Sequence, residues 1–302
     1  MENKKLQEKI VILKNKLNAV LIAHNYQREE IQQIADHLGD SLALSRAAAG
    51  TQADIIVFCG VHFMAETANI LSPHKTVLLP EKDAGCPLAD MLSLEQLLDL
   101  KVKHPKAKVV CYINSPASIK AESDICCTSS NAVSVIKSLP KDEEIIFVPD
   151  MNLGQYVSKV TGRKLILWNG YCPTHHRITL EDVNNIKKIH PEAPVFSHPE
   201  CTPEILEISD KILSTGGMLT AAAESKEKNI IIVTEIGMLY RLRRDNPDKN
   251  FFIASKKLIC PNMKLTTLES ILESLEKMQY IISVPEEIRI KAQKAINRML
   301  SF

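Results

Sequence analysis

Three cysteine–proline pairs at nearly equal spacing are the feature of this sequence that most constrains its fold. The pairs begin at Cys86, Cys172 and Cys260, so 86 and 88 residues separate them. Near-equal spacing over such a distance predicts an internal repeat, in which one structural unit is used three times along the chain. A chain of 302 residues is long enough for several domains with a buried core.

The same order of elements is predicted around each pair. Each unit opens on an apolar, β-rich run, followed by a helical stretch, a turn of small residues, a second helix, a second strand, a further helix and a last short strand. The strands are predicted at 19–26, 53–60 and 75–80, at 108–116, 143–150 and 163–168, and at 194–200, 228–235 and 249–254. The helical stretch is predicted from residues at the spacing of a buried helix face: Ile31, Ile34, Ala35 and Leu38, and again Ile205, Ile208 and Ile212.

Short strands that are apolar on both faces and separated by helices are typical of parallel sheets covered by helices. We therefore predict an α/β fold with three similar three-layer α/β/α domains, each with a short parallel sheet, arranged with pseudo-threefold symmetry around a common centre. The predicted boundaries are an N-terminal helix at 1–18, repeats at 19–105, 106–192 and 193–262, and C-terminal helices at 263–302 that pack back on the first repeat.

Polar side chains occupy equivalent places in the three units. Each first strand ends on a pair at i and i+2, and a hydroxyl follows 17 residues after the first member of the pair. The pairs are His24 and Tyr26, Tyr112 and Asn114, and His198 and Glu200, and the hydroxyls are Ser41, Ser129 and Thr215. A single hydroxyl before a helix is usually only an N-cap. The threefold coincidence at strand ends instead favours a ligand site, because ligands bind at the carboxyl ends of strands in open α/β sheets.

If the strand ends of the three units face one centre, one cysteine thiolate from each unit meets there. Three cysteines suit a central [4Fe–4S] cluster with one open iron, because a complete set of protein ligands would be four cysteines. An open iron is a Lewis acid. The alternative is a zinc ion held by the three cysteines and by His175 or His176. We favour the cluster, since structural zinc sites rarely gather ligands across three domains.

The chemistry of the other marked residues points to anionic substrates. Ser41, Ser129 and Thr215 are expected near helix N-termini, where hydroxyls, backbone N–H groups and the helix dipole bind carboxylates and phosphates. The strand-end residues add candidates for general acid–base work, namely Tyr26, Tyr112, His198 and Glu200.

Composition narrows the possible partners and location. A formal net charge of +1 gives no electrostatic reason to expect nucleic acid or an anionic membrane as a partner. The first residues are too charged for a signal peptide, and no apolar run approaches the roughly 18–20 residues that span a bilayer. We expect a cytoplasmic protein with reduced thiols, in which the other cysteines are buried core residues: Cys59, Cys111, Cys126, Cys127 and Cys201.

Several longer motifs resemble those of the quinolinate synthase family. They run in order from about residue 18 to the C-terminus and read AHNYQ, GDSLALSR, FCGVHFMAETANIL, AGCPLADM, YIN, TSSNAV, HPEC and STGGM. The resemblance implies an enzyme of NAD biosynthesis that condenses iminoaspartate with dihydroxyacetone phosphate, releasing phosphate and water and closing the pyridine ring of quinolinate. It also implies an oxygen-sensitive [4Fe–4S] cluster on Cys86, Cys172 and Cys260.

The resemblance further implies roles for individual residues. The family's substrate-contacting positions fall on His24, Ser41, Tyr112, Asn114, Ser129, His198, Glu200 and Thr215. The residues expected to take part in catalysis are Tyr26, Tyr112, His175, His198 and Glu200, while His176 is expected to be a bystander. L-Aspartate oxidase is implied as the supplier of iminoaspartate, and a transient contact with it is left open. Some members carry additional cysteines where this chain has Ala254 and Lys257, so an auxiliary disulfide in that segment is not expected.

Two competing functions remain from the residues alone. An iron–sulfur hydro-lyase acting on a small hydroxy acid would also use an open iron, but it would not need a phosphate site. A non-catalytic scaffold held together by zinc would need neither the open iron nor the acid–base groups.

Overall fold

The computed structural model describes residues 2–302 and contains three separate sheets. In each sheet, four consecutive strands run parallel in the spatial order second, first, third, fourth. The first sheet consists of β1 (Ala19–His24), β2 (His37–Gly39), β3 (Ile55–Cys59) and β4 (Thr76–Leu78). The second consists of β5 (Lys108–Tyr112), β6 (Ile125–Cys127), β7 (Ile145–Val148) and β8 (Ile166–Leu167). The third consists of β9 (Val195–Ser197), β10 (Lys211–Ile212), β11 (Asn229–Val233) and β12 (Asn250–Ile253). The predicted class of three α/β/α domains is confirmed.

Helices separate the strands throughout. Those of the first half are α1 (Glu2–Lys16), α2 (Glu29–Gln32), α3 (Ser41–Gly50), α4 (His62–Leu71), α5 (Leu94–Lys103), α6 (Ala117–Ala121) and α7 (Ala132–Ser138). Those of the second half are α8 (Met151–Thr161), α9 (Pro173–His176), α10 (Leu180–Ile189), α11 (Pro203–Glu207), α12 (Thr215–Glu224), α13 (Met238–Asp245), α14 (Leu268–Lys277) and α15 (Glu286–Leu300). Single 3-10 turns lie at Ala89–Met91 and Asn262–Lys264. Among residues 2–302, none of the helices combines the length and the apolar character needed to cross a bilayer.

The predicted helical stretches after the first strands are wrong in their extent. Helix α2 ends at Gln32 and α11 ends at Glu207, so Leu38 lies in strand β2 and Ile212 in strand β10. The sequence patterns that suggested one longer helix therefore combine a single helical turn with a short edge strand. Each sheet consequently has four parallel strands, where three were predicted.

An aspartate directly before the edge strand explains why the helix stops in every unit. Asp36, Asp124 and Asp210 stand directly before β2, β6 and β10. Each carboxylate accepts the backbone N–H of a first-strand residue at 2.8 Å, and each aspartate N–H donates to the carbonyl of that same residue. This two-bond clamp ties the chain to the first strand, so the residues that follow pair as a strand rather than continue a helix.

The last helix of each unit covers the sheet of the next unit. Helices α5, α10 and α14 each begin eight residues after a Cys-Pro cysteine, and each begins with a capping box. Helix α5 contacts α6 beside the second sheet, α10 contacts α11 and β11 of the third, and α14 contacts α1 and β3 of the first. The chain thus closes into a ring of three units. The domain boundaries at 105/106 and 192/193 stay a prediction.

The segment after the third Cys-Pro pair contacts more than the first repeat. Helix α14 and strand β13 (Ile281–Ile282) lie on the first unit, with β13 antiparallel to β4. Helix α15 packs mainly against α6 and β6 of the second unit and also contacts α4 of the first. Its buried face consists of Ala292, Ala295, Ile296 and Met299. This helix therefore joins the first and second units.

The packing of α15 between the first and second units can be tested with two isoleucine substitutions. Ile296 is 0% exposed, whereas Ile290 on the same helix is 46% exposed. We expect Ile296→Ala to lower the free energy of unfolding by about 3 kcal/mol, because it leaves a cavity between two units. Ile290→Ala should change it by less than about 0.5 kcal/mol. Urea denaturation followed by circular dichroism measures both, and equal effects would argue against this packing.

Candidate active site

The carboxyl ends of the strands meet at one cavity between the three units. It encloses about 680 Å³ of space between its atoms, including its opening to solvent. All thirteen residues singled out in the sequence line it: His24, Tyr26, Ser41, Cys86, Tyr112, Asn114, Ser129, Cys172, His175, His198, Glu200, Thr215 and Cys260. The residues that the repeat register selected therefore face one cavity, while the identity of the site and the role of each residue stay predictions.

The strand ends position their side chains by a local hydrogen bond. In the first unit the backbone N–H of Tyr26 donates to His24 Nδ1 at 3.1 Å, directly after β1. In the third unit the backbone N–H of Glu200 donates to His198 Nδ1 at 3.4 Å, directly after β9. Both histidines are thereby held against their own strand ends, with His24 and His198 facing the same cavity.

Glu200 is the centre of a buried hydrogen-bond network that joins the second and third units. The Tyr112 hydroxyl donates to Glu200 Oε1 at 2.7 Å, and Asn114 Nδ2 lies 3.4 Å from the same oxygen. The other oxygen, Oε2, lies 2.8 Å from His175 Nδ1 and 3.4 Å from His198 Nδ1. His198 Nε2 in turn lies 3.2 Å from Ser129 Oγ. The carboxylate therefore orients groups from two separate sheets.

The charges in this network separate into one anion and several neutral groups. Burial acts to raise the pKa of the Glu200 carboxyl, but the neighbouring His198 and His175 hold that pKa well below its ordinary range. Burial lowers the pKa of His198, despite the charge of Glu200. Burial and then the charge of Glu200 raise the pKa values of Tyr26 and Tyr112 well above the ordinary range. Glu200 is therefore an acceptor, and both phenols keep their protons at neutral pH.

The three hydroxyls are not the caps of their helices. Asp40 caps α3 by accepting the N–H of Ala43, and Ser214 caps α12 by accepting the N–H of Gly217. Ser41 and Thr215 are the first helical residues, one position inside the caps. Ser129 lies in the loop before α7 and faces His198. These hydroxyls line the cavity beside backbone N–H groups, which is a suitable setting for anionic ligands.

Asp40 was missed in the sequence, and it links the three units at the partly exposed edge of the cavity. Its Oδ2 accepts a hydrogen bond from Ser130 Oγ of the second unit at 2.7 Å. A Cβ at Gly216 of the third unit would lie only 2.8 Å from the same oxygen, so a larger residue there would require the Asp40 side chain to shift. The signal that could have revealed Asp40 is its place one residue before the marked hydroxyl Ser41.

The three Cys-Pro cysteines differ from the other thiols. Cys86, Cys172 and Cys260 are partly exposed and line the cavity, whereas the remaining five cysteines are buried, as predicted. A single helical turn begins within three residues after each of them, and in the second unit Pro173 is the first residue of that turn. Burial raises the pKa of all three thiols, and at Cys172 the charge of Glu200 adds to that effect.

Two buried carboxylates hold the loops of these cysteines and were also missed. Asp150 Oδ2 accepts the backbone N–H of Cys172, and Glu235 Oε1 accepts that of Cys260, each at 3.2 Å. Both acids stand two residues after the third strand of their unit, β7 or β11, where the first unit has Val61. Aligning the three units by their repeat register places Asp150 and Glu235 at one equivalent position. The pair did not stand out because the first unit has Val61 at that position.

The donor set fits a cluster of several metal ions better than a single zinc ion. Zinc–sulfur bonds of about 2.3 Å at tetrahedral angles would hold three sulfurs roughly 4 Å apart. Within residues 2–302, the one group of metal-binding atoms that all lie within 4.8 Å of one another is Cys172, His175 and Glu200, so the three thiols are spaced more widely. Wider spacing suits a cluster in which each thiolate binds a different iron.

Of the two histidines in the alternative zinc site, His175 lies beside one of the three cysteines, with Nδ1 3.2 Å from Cys172 Sγ. His175 Nδ1 faces Glu200, and its Nε2 lies 2.9 Å from Thr234 Oγ1, so both nitrogens are engaged. His176 stacks on Tyr171 with a ring-centroid distance of 4.2 Å and does not line the cavity. His176 therefore does not face the three cysteines, whereas His175 forms, with Cys172 and Glu200, a group of side chains that could hold a metal ion.

A polar cavity with an ionised carboxylate, protonated phenols and three partly exposed thiols, formed at the junction of three α/β units, defines an enzyme with a candidate metal centre. Comparison with known proteins agrees with this class. The family model described as Quinolinate synthetase A protein matches residues 8–301. The chain belongs to the quinolinate synthase family.

Full-length relatives carry the same name. A quinolinate synthase of Geobacter sp. (strain M21) is 55% identical over 301 residues, covering 100% of this chain and 99% of the relative. One of Thermodesulfovibrio yellowstonii is 55% identical over 295 residues, covering 97% of each chain. One of Dehalococcoides mccartyi (strain CBDB1) is 56% identical over 295 residues, covering 98% of this chain and 97% of the relative. All three of these relatives are named quinolinate synthase, so the comparisons support neither the hydro-lyase nor the zinc-held scaffold as the function.

The buried strand-end histidine of the first unit predicts a pH effect on stability. Burial lowers the pKa of His24 from 6.5 to about 4, against the opposing effect of Asp40. Between these values the unfolded chain binds a proton that the folded chain rejects, so acid destabilises the fold. Lowering the pH from 7 to 5 should cost about 2 kcal/mol through this group.

The matched variants are His24→Asn and His74→Asn, measured by urea denaturation at pH 7 and pH 5. The asparagine oxygen at position 24 can still accept the N–H of Tyr26, so His24→Asn should remove only the acid-sensitive part. His74 is exposed, and its replacement should leave the difference between the two pH values unchanged. An unchanged difference in His24→Asn would contradict the assignment.

Proposed function

We propose that the cavity forms quinolinate from iminoaspartate and dihydroxyacetone phosphate, releasing phosphate and water, with a [4Fe–4S] cluster on Cys86, Cys172 and Cys260. The observation that carries this proposal is the convergence in one cavity of three partly exposed thiols, several hydroxyls beside helix starts and an ionised carboxylate. The full-length similarity to proteins named quinolinate synthase supports the same reaction.

The three cysteines are the residues that would hold the cluster. When bound by three protein ligands, such a cluster offers an open iron that can polarise a substrate oxygen or nitrogen. The protein contributes the placement of the thiols, because each lies within three residues of the start of a helical turn in a different unit. Asp150 and Glu235 hold two of these turns through the cysteine backbone N–H groups.

The anionic groups of the two substrates would bind at the hydroxyl-bearing loops. Iminoaspartate has two carboxylates and dihydroxyacetone phosphate has a phosphate, and all three groups require donors. Ser41 and Thr215 stand in the first turns of ten-residue helices, where free N–H groups and the helix dipole favour anions. Ser129 adds a third hydroxyl on the side of the second unit, and His24 and Asn114 complete the polar lining.

The acid–base groups suit a condensation that ends in loss of water. Enolisation and imine formation require a base near the reacting carbons, and dehydration requires an acid near the leaving hydroxyl. Glu200 is ionised, which is the form that a base requires, and the Tyr112 phenol is protonated, which is the form that an acid requires. His198 bridges Ser129 and Glu200, and Tyr26 faces the cavity from the first unit.

The partners of this function are small molecules. We propose L-aspartate oxidase as the enzyme that supplies iminoaspartate, either by release into solution or through a transient contact. We also propose a cytoplasmic location, since the eight cysteines are free thiols and reducing compartments keep them so.

The direct test of this function is quinolinate formation by the anaerobically purified protein. With iminoaspartate and dihydroxyacetone phosphate supplied, we expect quinolinate and inorganic phosphate in equal amounts. The protein should be brown, with a broad visible absorbance band that bleaches in air. A colourless zinc-containing protein, or a brown protein that forms no quinolinate but hydrates or dehydrates a hydroxy acid, would overturn the proposal.

The ligand assignment is tested by single Cys→Ser substitutions. Cys86→Ser, Cys172→Ser and Cys260→Ser should each abolish activity and lower the iron and sulfide content per chain, because the hydroxyl binds iron less well than a thiolate. The matched control is Cys201→Ser, a buried thiol that faces the carbonyl of Val233. This variant should retain wild-type iron content, and full activity in any one of the first three would refute the assignment.

A further inference from the structure

Lys120 is a buried lysine that none of the assignments above uses. It stands on α6 of the second unit and is 0% exposed. Its Nζ donates to the backbone carbonyl of Phe63 at 3.1 Å and to Thr67 Oγ1 at 2.8 Å, and it lies 5.3 Å from the centre of the Phe63 ring. Phe63 and Thr67 belong to α4 of the first unit. The amino group therefore lies between two units, against a helix whose first turn lines the cavity.

The lining of the cavity contains acidic groups and no permanent cation. Among residues 2–302, the side chains that line it include the carboxylates of Asp40, Glu200 and Glu235 and no lysine or arginine. Lys264 lies close by, but its Nζ is 2.9 Å from Glu235 Oε1, so these two charges offset each other. The proposed substrates bring two carboxylates and a phosphate into the same space. A positive charge close behind the lining would therefore favour their binding.

Lys120 suits this role because no carboxylate pairs with it. Within residues 2–302, the ion pairs formed by lysines do not include Lys120. Glu66 is the carboxylate that influences it most, but the Glu66 oxygens face the backbone N–H of Ala117 and the ring of His62 instead. The charge of Lys120 is therefore not cancelled by a direct partner.

A small cavity connects the surroundings of Lys120 with the active site. It encloses about 190 Å³ of space between its atoms, and both Thr67 and Ser41 line it. Ser41, Phe63 and Met64 also line the active-site cavity. Along this path, the Thr67 side chain and the small cavity separate the amino group from Ser41, where an anionic group is proposed to bind. The field of a charge inside a protein is screened much less than at the surface.

The repeat shows that the fold accepts an uncharged residue at this position. Eight residues after the first member of each strand-end pair stand Gln32, Lys120 and Leu206, all buried and all in the short helix after the first strand. Gln32 makes the corresponding contact in the first unit, because its Nε2 donates at 2.9 Å to the carbonyl of Gly237, the N-cap of α13. Helix α13 follows the third strand of its unit, as α4 does. A neutral amide therefore suffices for this contact.

We propose that Lys120 is a positioning residue whose positive charge favours anionic substrates in the cavity beside Ser41. The proposal rests on the proposed function, in which the substrates carry carboxylates and a phosphate. Lys120 acts through α4 and the small cavity and does not contact the substrates. Its charge is present before, during and after the condensation, so it strengthens binding more than it speeds the chemical step. Loss of the charge should therefore raise KM more than it lowers kcat.

The first test measures the binding of inorganic phosphate to the iron-loaded enzyme by isothermal titration calorimetry. Lys120→Gln and Lys120→Met remove the charge and should each raise the Kd by about 10-fold. Lys120→Arg keeps the charge and should stay within about threefold of wild type. The matched control is Lys101→Gln, which also removes one positive charge, from a lysine of α5 that is paired with Glu122. This control should leave the Kd unchanged.

Several outcomes would overturn the proposal: a wild-type Kd in both neutral variants, an equal change in Lys101→Gln, no phosphate binding by the wild type, or the same loss in Lys120→Arg. Tm and iron content are measured for every variant, and either neutral variant suffices if the other does not fold. In the quinolinate assay, Lys120→Gln should raise the KM for dihydroxyacetone phosphate about 10-fold, with kcat changed less than about threefold. A loss confined to kcat would contradict the proposal.

The charge can also be measured without any assay. Burial lowers the pKa of Lys120, while the charge of Glu66 opposes that effect. Nitrogen-15 NMR of the iron-loaded enzyme labelled at its lysines should show an ammonium chemical shift for this Nζ at pH 7, with the Lys120→Gln spectrum identifying the signal. The shift of a neutral amine would overturn the proposal even if the enzyme forms quinolinate. A wild-type enzyme that binds phosphate in a Lys120-dependent way but forms no quinolinate would instead overturn the proposed function.

Discussion

The constraint on which the rest of this structure depends is that short parallel sheets must be covered on both faces. Their strands are apolar on both sides, and an uncovered face would expose a hydrophobic surface. Here the last helix of each unit packs against the sheet of the next unit. These helices are α5, α10 and α14, which occupy equivalent places in the three units. Because α14 returns to the first sheet, the three units form a closed ring. This closure directs the strand ends of all three sheets to one cavity.

The cavity in turn depends on a buried charge that is fully hydrogen-bonded. An isolated carboxylate at the position of Glu200 would be strongly disfavoured by burial. Its oxygens instead receive the Tyr112 hydroxyl from the second unit and face His175 and His198. The same network runs on through His175 to Thr234 and Tyr26. One ionised group therefore orients side chains from all three units, which connects the assembly of the ring to the chemistry of the site.

Most of the site could be predicted because the repeat supplies a register. His24, Tyr112 and His198 stand at the same strand end in successive units, and the structure brings them to one cavity. The residues that were missed are those that break or lie outside the repeat. Val61 replaces the acid found at Asp150 and Glu235, so that pair did not stand out. The short edge strands were missed since the pattern of apolar residues around Asp36 also fits a helix, and only the clamp to β1 shows that the helix ends.

The sequence by itself determined the class of fold, the three equivalent units and the residues at their strand ends, because these depend on local periodicity and on chain register. Only the tertiary structure decided which atoms meet. Whether a thiol faces a cavity, which oxygen of Glu200 receives which donor, and whether the hydroxyls of Tyr26 and Thr234 meet depend on distances between residues up to about 200 positions apart. Such distances follow from how the ring closes, which no local pattern encodes.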